Sequence, residues 1–289
     1  MSQTLHLQQA VEAIRQRTQQ TCRAGLVLGS GLGSVADAID VEVEIPYQDI
    51  PHFPTSTALA HKGILISGTL GGVPIVALSG RCHLYEGYHA DDIALPIRTM
   101  HQLGARILIV SNASGAVNPH LTCGDILVIE DHINLMWQTV TTEVTTVPAH
   151  FRSQGQTPLY DPELIERSLQ IARQQGFSAH QGVYIGVSGP TYETRAEYRF
   201  FRTLGDTVGM STIPEVVTAN HCGMRVLALS VITNVAQPDA PQSVSAEEVV
   251  DVANEAAPRL ASIVQHILRR ECDGQAPEKI PGKGPLPGM

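Results

Sequence analysis

The sequence predicts a single-domain α/β protein with a central mixed β-sheet flanked by helices. Short apolar runs typical of buried strands alternate along the 289 residues with segments whose apolar residues recur at helical spacing. Two of these runs, 64–70 and 73–78, are joined by Gly71-Gly72, which predicts an antiparallel hairpin and therefore a mixed sheet. A hydrophobic fraction of 43% is enough for one large core.

Each further element is predicted from its own local pattern. Apolar residues at helical spacing predict a first helix over 5–22, and the apolar run 24–29 predicts a buried strand directly after it. Later strands are predicted over 106–110, 126–130, 182–187, 208–210 and 226–232. Helices are predicted between them over 91–103, 161–175, 193–203 and 214–222. The last helix begins at a capping box, with Ser245 as N-cap and Glu248 three residues later, and its apolar stripe continues to Ile267.

Two segments lack such periodicity. Residues 138–158 are Thr-rich and predict a long loop, and a loop of this length in a compact domain is often functional. The segment 271–289 is rich in Gly, Pro and charge and predicts a disordered tail. The folded domain is therefore expected over 1–270.

Composition argues against several classes of protein. The formal net charge is −9 and no basic run is present, so nucleic acid, whose binding depends on Lys and Arg contacts to phosphates, is not an expected partner. The N-terminus is polar, unlike a secretory signal, and no apolar run approaches the roughly 18 residues of a membrane span. The five cysteines are dispersed without a C-x-x-C pair, as in a reduced protein. We therefore expect a cytoplasmic protein without a membrane partner.

The first segment that suggests chemistry is Gly29-Ser30-Gly31-Leu32-Gly33, directly after a predicted strand. Glycines allow backbone N–H groups to close around an anion, and the Ser30 hydroxyl adds a donor. The same residues also fit an ordinary tight exit from a strand. Their spacing is not the G-x-G-x-x-G of a dinucleotide-binding motif, so a nucleotide-dependent oxidoreductase is the least favoured class.

A second candidate anion site follows the hairpin. Arg81 and His83 alternate on an extended chain, so both can face the same side, and their donors suit phosphate. His61 can join them. The alternatives are a surface ion pair between Arg81 and Glu86, an exposed loop histidine at 61, and a Cys82/His83 metal site, which lacks further Cys or His ligands at the usual spacing.

Small and polar residues follow other predicted strands, at the edge where ligands approach α/β sheets. The segments are 111–119, 189–194, 208–211 and 230–234. Glu193 can be a carboxylate aimed at ligand N–H groups, with Tyr192 as a stacking wall, or a first-turn Glu favoured by the helix dipole. Asn234 can offer a donor and an acceptor to the edge of a ring, or can cap a turn.

Taken together, in this order along residues 5–268, the segments resemble the trimeric purine nucleoside phosphorylase family. The matching stretches are 29–33, 80–87, 112–119, 124–135, 189–194, 208–220 and 232–234. The resemblance implies a mixed-sheet α/β fold, a homotrimer, and phosphorolysis of 6-oxopurine nucleosides such as inosine and guanosine in purine salvage. Inorganic phosphate would be the co-substrate, with no metal and no organic cofactor.

The resemblance also implies roles for individual residues. The phosphate-binding residues would be Ser30, His61, Arg81, His83, Ala113 and Ser211. The purine would lie against Ala113, Ser114, Gly115, Tyr192, Glu193, Val208 and Asn234. The ribose would contact Tyr85, Met210 and Ala246. The catalytic residues would be Asn234 and Glu193, which hold the leaving base, and His83, which holds the attacking phosphate.

Two places depart from the family pattern. Many members have a His that contacts the ribose 5′-hydroxyl where this chain has Ala246. Ala246 favours, as an alternative, a 5′-methylthio-nucleoside phosphorylase of the same superfamily, although Asn234 opposes the adenine version, which resembles this chain but has Asp there. In the loop 138–158, Phe151 does not align clearly with the aromatic residue that often reaches the neighbouring subunit's ribose. A binding protein or a silent relative would lose polar site residues that this chain keeps: Arg81, His83, Glu193 and Asn234.

Overall fold

The computed structural model describes residues 3–29, 33–58, 61–140, 158–239 and 245–272. Its strands are β1 (Ala24–Leu28), β2 (Asp40–Pro46), β3 (Ile64–Leu70), β4 (Val73–Ser79), β5 (Ile107–Ala116), β6 (Ile126–Leu135), β7 (Ala179–Val187), β8 (Thr207–Gly209) and β9 (Arg225–Val235). Its helices are α1 (Gln3–Arg15), α2 (Gly33–Asp37), α3 (Ala90–Gln102), α4 (Pro162–Gln175), α5 (Arg195–Phe201), α6 (Ile213–His221) and α7 (Ala246–Cys272). Short 3-10 helices lie at Tyr47–Asp49 and Leu84–Glu86.

The nine strands of this described part form one mixed sheet, which confirms the predicted fold class. The strand order is β2-β3-β4-β1-β5-β8-β7-β6-β9, and β9 pairs with β5 as well as with β6. This second pairing closes five strands into a ring. The predicted hairpin of β3 and β4 is antiparallel, whereas β1 is parallel to β4 and β5, and β5 is parallel to β9. The carboxyl ends of β4, β1, β5 and β9 therefore meet at one edge of the sheet, where α/β folds bind ligands.

Helix α7 packs against β9, α2 and α4 and covers a large part of the core. Its capping box forms as predicted, since Glu248 N–H donates to Ser245 Oγ at 3.1 Å and Ser245 N–H donates to the Glu248 carboxylate at 2.9 Å. The predicted apolar stripe is buried from residue 256 onward. Val249, in the first turn, is only half-buried, because this turn extends beyond the core.

The first helix is shorter than predicted, because α1 ends at Arg15 rather than at residue 22. Beyond this end Thr18 is buried, and its hydroxyl donates to Glu42 on β2 at 2.7 Å. This tertiary contact holds the chain in an irregular path toward β1, although its apolar spacing fits a helix. The sequence analysis also does not predict α2 or β2. The strand β2 lies at the edge of the sheet and fully buries only Ile45, so it lacks an apolar pattern.

The strands β5, β6 and β9 continue at least three residues beyond the ends of their predicted apolar runs: β5 reaches Ala116, β6 reaches Leu135 and β9 reaches Val235. The segment 111–116 is therefore the second half of β5, not a loop, and it pairs with β9 as far as Ala116 opposite Val235. Polar side chains hide this continuation in the sequence, because backbone hydrogen bonds, not hydrophobicity, extend the strand.

Some expectations fall on residues that the structure does not describe. Most of the predicted loop 138–158, with Phe151, lies outside the described residues, as does 273–289 of the predicted tail. Helix α7 continues through residues 271 and 272, the first two of that tail. Within the described ranges, no helix combines the length and the apolar character needed to cross a membrane.

Candidate active site

One cleft gathers residues from the carboxyl ends of the strands. The cleft is open to solvent on one side, and its cavity volume is about 160 Å³. Thirteen of the predicted site residues line it: His61, Arg81, His83, Tyr85, Ala113, Ser114, Gly115, Tyr192, Glu193, Val208, Met210, Ser211 and Asn234. Residues without a predicted role also line it: Gly29, Asn112, Gly209, Thr233 and Val249.

The two other predicted site residues cannot be placed in the cleft directly. Ser30 lies outside the described residues, and Ala246 opens α7 with a side chain that also lies outside them. Their neighbours do line the cleft, because Gly29 precedes Ser30 and Val249 lies one turn after Ala246. A Cβ at Gly29 would come within 2.5 Å of Ser111 O, so only glycine fits this strand exit.

Arg81 lies at the base of the cleft with a side chain that is 3% exposed. Its Nη1 is 3.1 Å from Glu215 Oε1 and donates to Thr212 Oγ1 at 3.2 Å, and its Nη2 donates to Ser111 O. The alternative of a surface ion pair with Glu86 is therefore wrong. Glu215 on α6 is 2% exposed and supplies the counter-charge that a buried guanidinium needs.

Three rings stack along one wall of the cleft. The His61 and His83 ring centroids are 5.2 Å apart at 16°, and those of His83 and Tyr85 are 4.8 Å apart at 14°. His83 Nδ1 lies 2.9 Å from Glu86 Oε1. This contact fixes the orientation of the His83 ring, because the partner of one ring nitrogen determines the role of the other.

The charges of this wall are set by burial and hydrogen bonding. Burial by itself raises the pKa of Glu86, but hydrogen bonds from His83 and Thr57 outweigh it and hold that pKa at about 2. Burial and the nearby His83 lower the pKa of His61 to about 4, although His61 Nδ1 contacts Arg81 O at 2.6 Å. At neutral pH Glu86 is therefore a carboxylate, and His61 is a neutral ring.

The alternative of a Cys82/His83 metal site gains no support. Among the described residues, no group of three or more His, Cys, Asp or Glu side chains is placed to hold a metal ion. Cys82 itself is buried, and burial together with the charge of Glu86 raises its thiol pKa to about 12. Without a metal ion, Cys82 is therefore an uncharged thiol at neutral pH.

Asn234 enters the cleft from β9, directly opposite Gly115 on β5. Its Oδ1 accepts a hydrogen bond from Thr233 Oγ1 at 3.3 Å, which orients the amide. A Cβ at Gly115 would lie 2.9 Å from Asn234 Nδ2, so a side chain there would displace the Asn234 amide. Asn234 is thus a strand residue, not the cap or turn residue of the alternative.

Tyr192 and Glu193 line the cleft from the segment between β7 and α5. Tyr192 is 51% exposed. Helix α5 begins after Thr194, whose hydroxyl accepts from Glu197 N–H at 3.3 Å, so Glu193 precedes the helix and is not a first-turn residue. Burial raises the pKa of Glu193, while a hydrogen bond from Tyr198 opposes this shift.

Four buried polar residues at or beneath the cleft had no individual role predicted from the sequence, although Asn112 and Ser230 lie in candidate segments: Asn112, Thr212, Glu215 and Ser230. Glu215 had a usable signal, because it is a charged residue inside the otherwise apolar helical stretch of α6. Thr212 had no such signal in the sequence, because only its backbone conformation and its hydrogen-bond partners in the folded protein distinguish it. Its φ is +73°, a region that β-branched residues rarely adopt.

Comparison with known proteins gives matches over most of the chain. The family model of the phosphorylase superfamily matches residues 23–269. Purine nucleoside phosphorylase 1 of Bacillus subtilis is 42% identical over 263 residues, which cover 91% of this chain and 97% of that protein. A crystal structure of Schistosoma mansoni purine nucleoside phosphorylase in complex with adenosine has a TM-score of 0.82 at 38% identity and covers 92% of this chain and 97% of its own. The same protein in complex with inosine gives a TM-score of 0.82 at 37% identity, covering 92% and 96%.

Proposed function

The chain belongs to the purine nucleoside phosphorylase family of the phosphorylase superfamily, and from this we propose that its substrates are 6-oxopurine ribonucleosides and deoxyribonucleosides such as inosine and guanosine. Phosphate cleaves the glycosidic bond and yields the free base and (deoxy)ribose 1-phosphate, a reaction of purine salvage. One observation carries the proposal: a carboxylate and an amide, Glu193 and Asn234, share a single cleft with the basic side chains Arg81 and His83.

The proposed phosphate site lies at the base of the cleft. Phosphate binds Arg81, His83 and Ser211, together with His61, the backbone at Ala113, and Ser30. Charge-assisted hydrogen bonds from Arg and His are the strong donors for such an anion. Phosphate held beneath C1′ of the sugar is oriented for attack, which replaces a two-body encounter with a positioned reaction.

The proposed base site is formed by Asn234 and Glu193. The bond to the sugar breaks with negative charge developing on the purine, and fixed donors aimed at this charge lower the barrier. Asn234 Nδ2 donates to the N7 and O6 side of the base, and the Glu193 carboxylate accepts from the N1 side. The purine packs against Ala113, Ser114, Gly115, Tyr192 and Val208, and the ribose against Tyr85 and Met210.

The remaining assignments complete this proposal. Inorganic phosphate is the co-substrate, and neither a metal nor an organic cofactor takes part. The protein is a cytoplasmic homotrimer, and its folded domain, expected over 1–270, extends to the end of helix α7 at Cys272. The family resemblance supports the trimer, and a net charge of −9 argues against nucleic acid as a partner.

A substrate panel tests the proposal directly. Purified protein is given inosine, guanosine or adenosine, each with and without phosphate, and release of base is measured. We expect release from inosine and guanosine only with phosphate, and a kcat/KM for adenosine lower by about 10-fold or more, because the 6-amino group leaves site donors unpaired at about 1–3 kcal/mol each. Since the relative's crystal structure contains adenosine, kcat/KM rather than binding is the measure.

Two outcomes would contradict the assignments. Base release at the same rate without phosphate would exclude phosphorolysis. Equal kcat/KM for adenosine and inosine would exclude the role given to Asn234. In the variant Asn234→Asp the preference should move toward adenosine, because a carboxylate accepts from the 6-amino group.

A second candidate, cleavage of 5′-methylthio-nucleosides, is favoured by the apolar start of α7. Val249 lines the cleft one turn after Ala246, where a 5′-contacting His is common in the family. A 5′-deoxy or 5′-methylthio group suits such a surface, with burial worth about 0.8 kcal/mol per methylene-sized group.

The measurement for this candidate is the ratio of kcat/KM for 5′-deoxyinosine to that for inosine. We expect Ala246→His to lower this ratio, because the imidazole restores a partner for the 5′-hydroxyl. Glu247→His is the matched control, since residue 247 is exposed on the same turn and should leave the ratio unchanged. An unchanged ratio in Ala246→His would show that residue 246 does not contact the 5′ position.

A further inference from the structure

A chain of buried hydroxyl and amide groups runs beneath the cleft from Ser114 to Ser211. Ser114 Oγ lies 2.6 Å from Ser230 Oγ, and Ser230 Oγ donates to Asn112 Oδ1 at 2.5 Å. Asn112 Nδ2 donates to Thr212 Oγ1 at 2.7 Å, and Thr212 Oγ1 lies 3.2 Å from Ser211 Oγ. All five residues are at most 9% exposed, so solvent does not compete for these bonds.

The hydrogen-bond partners of Thr212 determine which groups donate and which accept along this series of hydrogen bonds. Its Oγ1 accepts from Asn112 Nδ2 and also from Arg81 Nη1, at 3.2 Å. A hydroxyl has two acceptor lone pairs and one proton. Because both lone pairs are used, the Thr212 proton is directed to Ser211 Oγ. Ser211 is then an acceptor on its buried side, and its own proton is available to the cleft that it lines.

Tyr184 contacts both the backbone and the side chain of Ser211. The Tyr184 oxygen accepts the Ser211 backbone N–H at 3.3 Å, and the hydroxyl groups of Tyr184 and Ser211 are also hydrogen-bond partners. The orientation of the Asn112 amide is set by its other end, because Oδ1 faces the Ser230 proton. Asn112 therefore turns its N–H group, not its carbonyl, toward Thr212.

The backbone conformation of Thr212 is energetically unfavourable for a threonine. Its φ is +73°, where a β-branched side chain is strained, and the residue is fully buried. It occupies the N-cap position of α6, yet its hydroxyl accepts no hydrogen bond from the helix. The hydroxyl instead contacts Arg81, Asn112 and Ser211. The Thr212 hydroxyl therefore takes part in the buried series of hydrogen bonds and does not cap the helix.

We propose that Thr212 is a positioning residue that makes Ser211 a hydrogen-bond donor to the phosphate. Thr212 does not line the cleft, and it acts by giving its proton to Ser211, which leaves the Ser211 proton for an anionic oxygen. Donors fixed before the ligand arrives bind an anion without reorganisation. This inference rests on the proposed phosphate site.

A double-mutant cycle tests the proposal. Thr212→Val, Ser211→Ala and the double variant are assayed for the KM of phosphate, the KM of inosine and kcat. We expect Thr212→Val to raise the phosphate KM about 5- to 10-fold, less than the loss of a whole hydrogen bond to a charged ligand because Ser211 keeps its hydroxyl, with a smaller change in the KM of inosine. In the Ser211→Ala background, the Thr212→Val substitution should raise the phosphate KM by less than about twofold. Thr212→Ser keeps the hydroxyl and should stay near wild type.

Thr218→Val is the matched control. Thr218 lies on the same helix α6, is 1% exposed, and donates its hydroxyl proton to Pro214 O at 2.6 Å, remote from Ser211. It should leave the phosphate KM unchanged. If Thr212→Val does not fold, Thr212→Ala, which lacks the β-branch, is measured in its place.

The outcomes separate the inference from the proposed function. If Thr212→Val raises the phosphate KM equally with and without the Ser211 hydroxyl, or if Thr212→Ser fails to restore it, the proposal for Thr212 is overturned. If Ser211→Ala itself leaves the phosphate KM unchanged, the proposed phosphate site is wrong.

Discussion

Two basic side chains of the cleft have carboxylate partners, and the partners fix their orientation. Arg81 lies against Glu215, and His83 lies against Glu86. Removing one member of a buried pair leaves an uncompensated charge, which is strongly destabilising. The carboxylates therefore contribute to the site by holding the donors in place, while Arg81 and His83 face the ligand in the proposed reaction.

The Glu86 pair gives a pH-dependent prediction. The pKa of Glu86 is about 2 in the folded protein, below its ordinary value of 4.5. A depressed folded-state pKa stabilises the protein above the unfolded-state pKa, and this contribution is lost as pH falls toward 2. We expect Glu86→Gln to lower the free energy of unfolding at pH 7 by at most about 3 kcal/mol, and by less below about pH 4.5.

Denaturant unfolding at pH 7, 4 and 3 measures this difference. Glu166→Gln is the control, because Glu166 is a largely exposed carboxylate that pairs with Arg173 on α4. Exposed pairs contribute about 0–1 kcal/mol, so its effect should be small at every pH. A difference for Glu86→Gln that grows as the pH falls would contradict the assigned pKa.

Among the elements, β5 and β9 bring the two halves of the site together. They pair in parallel from Ile107 opposite Arg225 to Ala116 opposite Val235, with a register shift between Ser114 and Gly115. The pairing places Gly115 opposite Asn234, so the backbone of one strand forms the floor for the amide of the other. A side chain on β5 at this point would displace the amide.

Gly115→Ala tests this strand contact. The added methyl lies 2.9 Å from Asn234 Nδ2, at the end of a side chain that can rotate away. We expect kcat for inosine to fall about 10-fold or more, because one displaced donor costs about 1.4 kcal/mol or more of transition-state stabilisation. The melting temperature should change little.

Gly205→Ala is the matched control for this variant. Its methyl meets Ile185 at a similar 3.0 Å, and Gly205 does not line the cleft. It should alter stability more than kcat. Equal losses of kcat in both variants would mean that Gly115 acts only through packing.

On the scale of the whole molecule, the sheet places polar segments from distant parts of the chain in one cleft. Some large apolar side chains are exposed on the surface. Trp137 is 87% exposed and Phe200 is 56% exposed in the single chain. Large exposed apolar side chains are common at surfaces that contact another protein when they form a patch. Single exposed apolar side chains do not by themselves indicate an interface, so the proposed trimer rests on the family resemblance.

Mass measurement tests the trimer. Size-exclusion chromatography with light scattering should give three times the 31.1 kDa of the chain. Activity per chain should stay constant over the concentrations at which this mass is observed. A fully active species with the mass of one chain would exclude the trimer as the functional unit.

The sequence by itself determined the fold class and most of the cleft. The alternation of apolar runs and helical spacing gave the strand–helix order, and the hairpin at Gly71-Gly72 has the predicted pairing. Segments directly after strands indicated where the cleft would lie, because the carboxyl ends of neighbouring parallel strands meet at one edge. The family resemblance then selected the thirteen individual residues that line it.

The tertiary structure alone decided the end of α1, the length of β5 and the partners of the buried polar groups. Arg81 and Thr212 are 131 residues apart in the chain, and Ser114 and Ser230 are 116 apart. No local pattern can pair such residues, because their hydrogen bonds depend on which strands become neighbours. For the same physical reason Thr212 is recognised only in the folded chain, and the charge of Glu215 within an apolar helix signals burial but does not identify Arg81 as its partner.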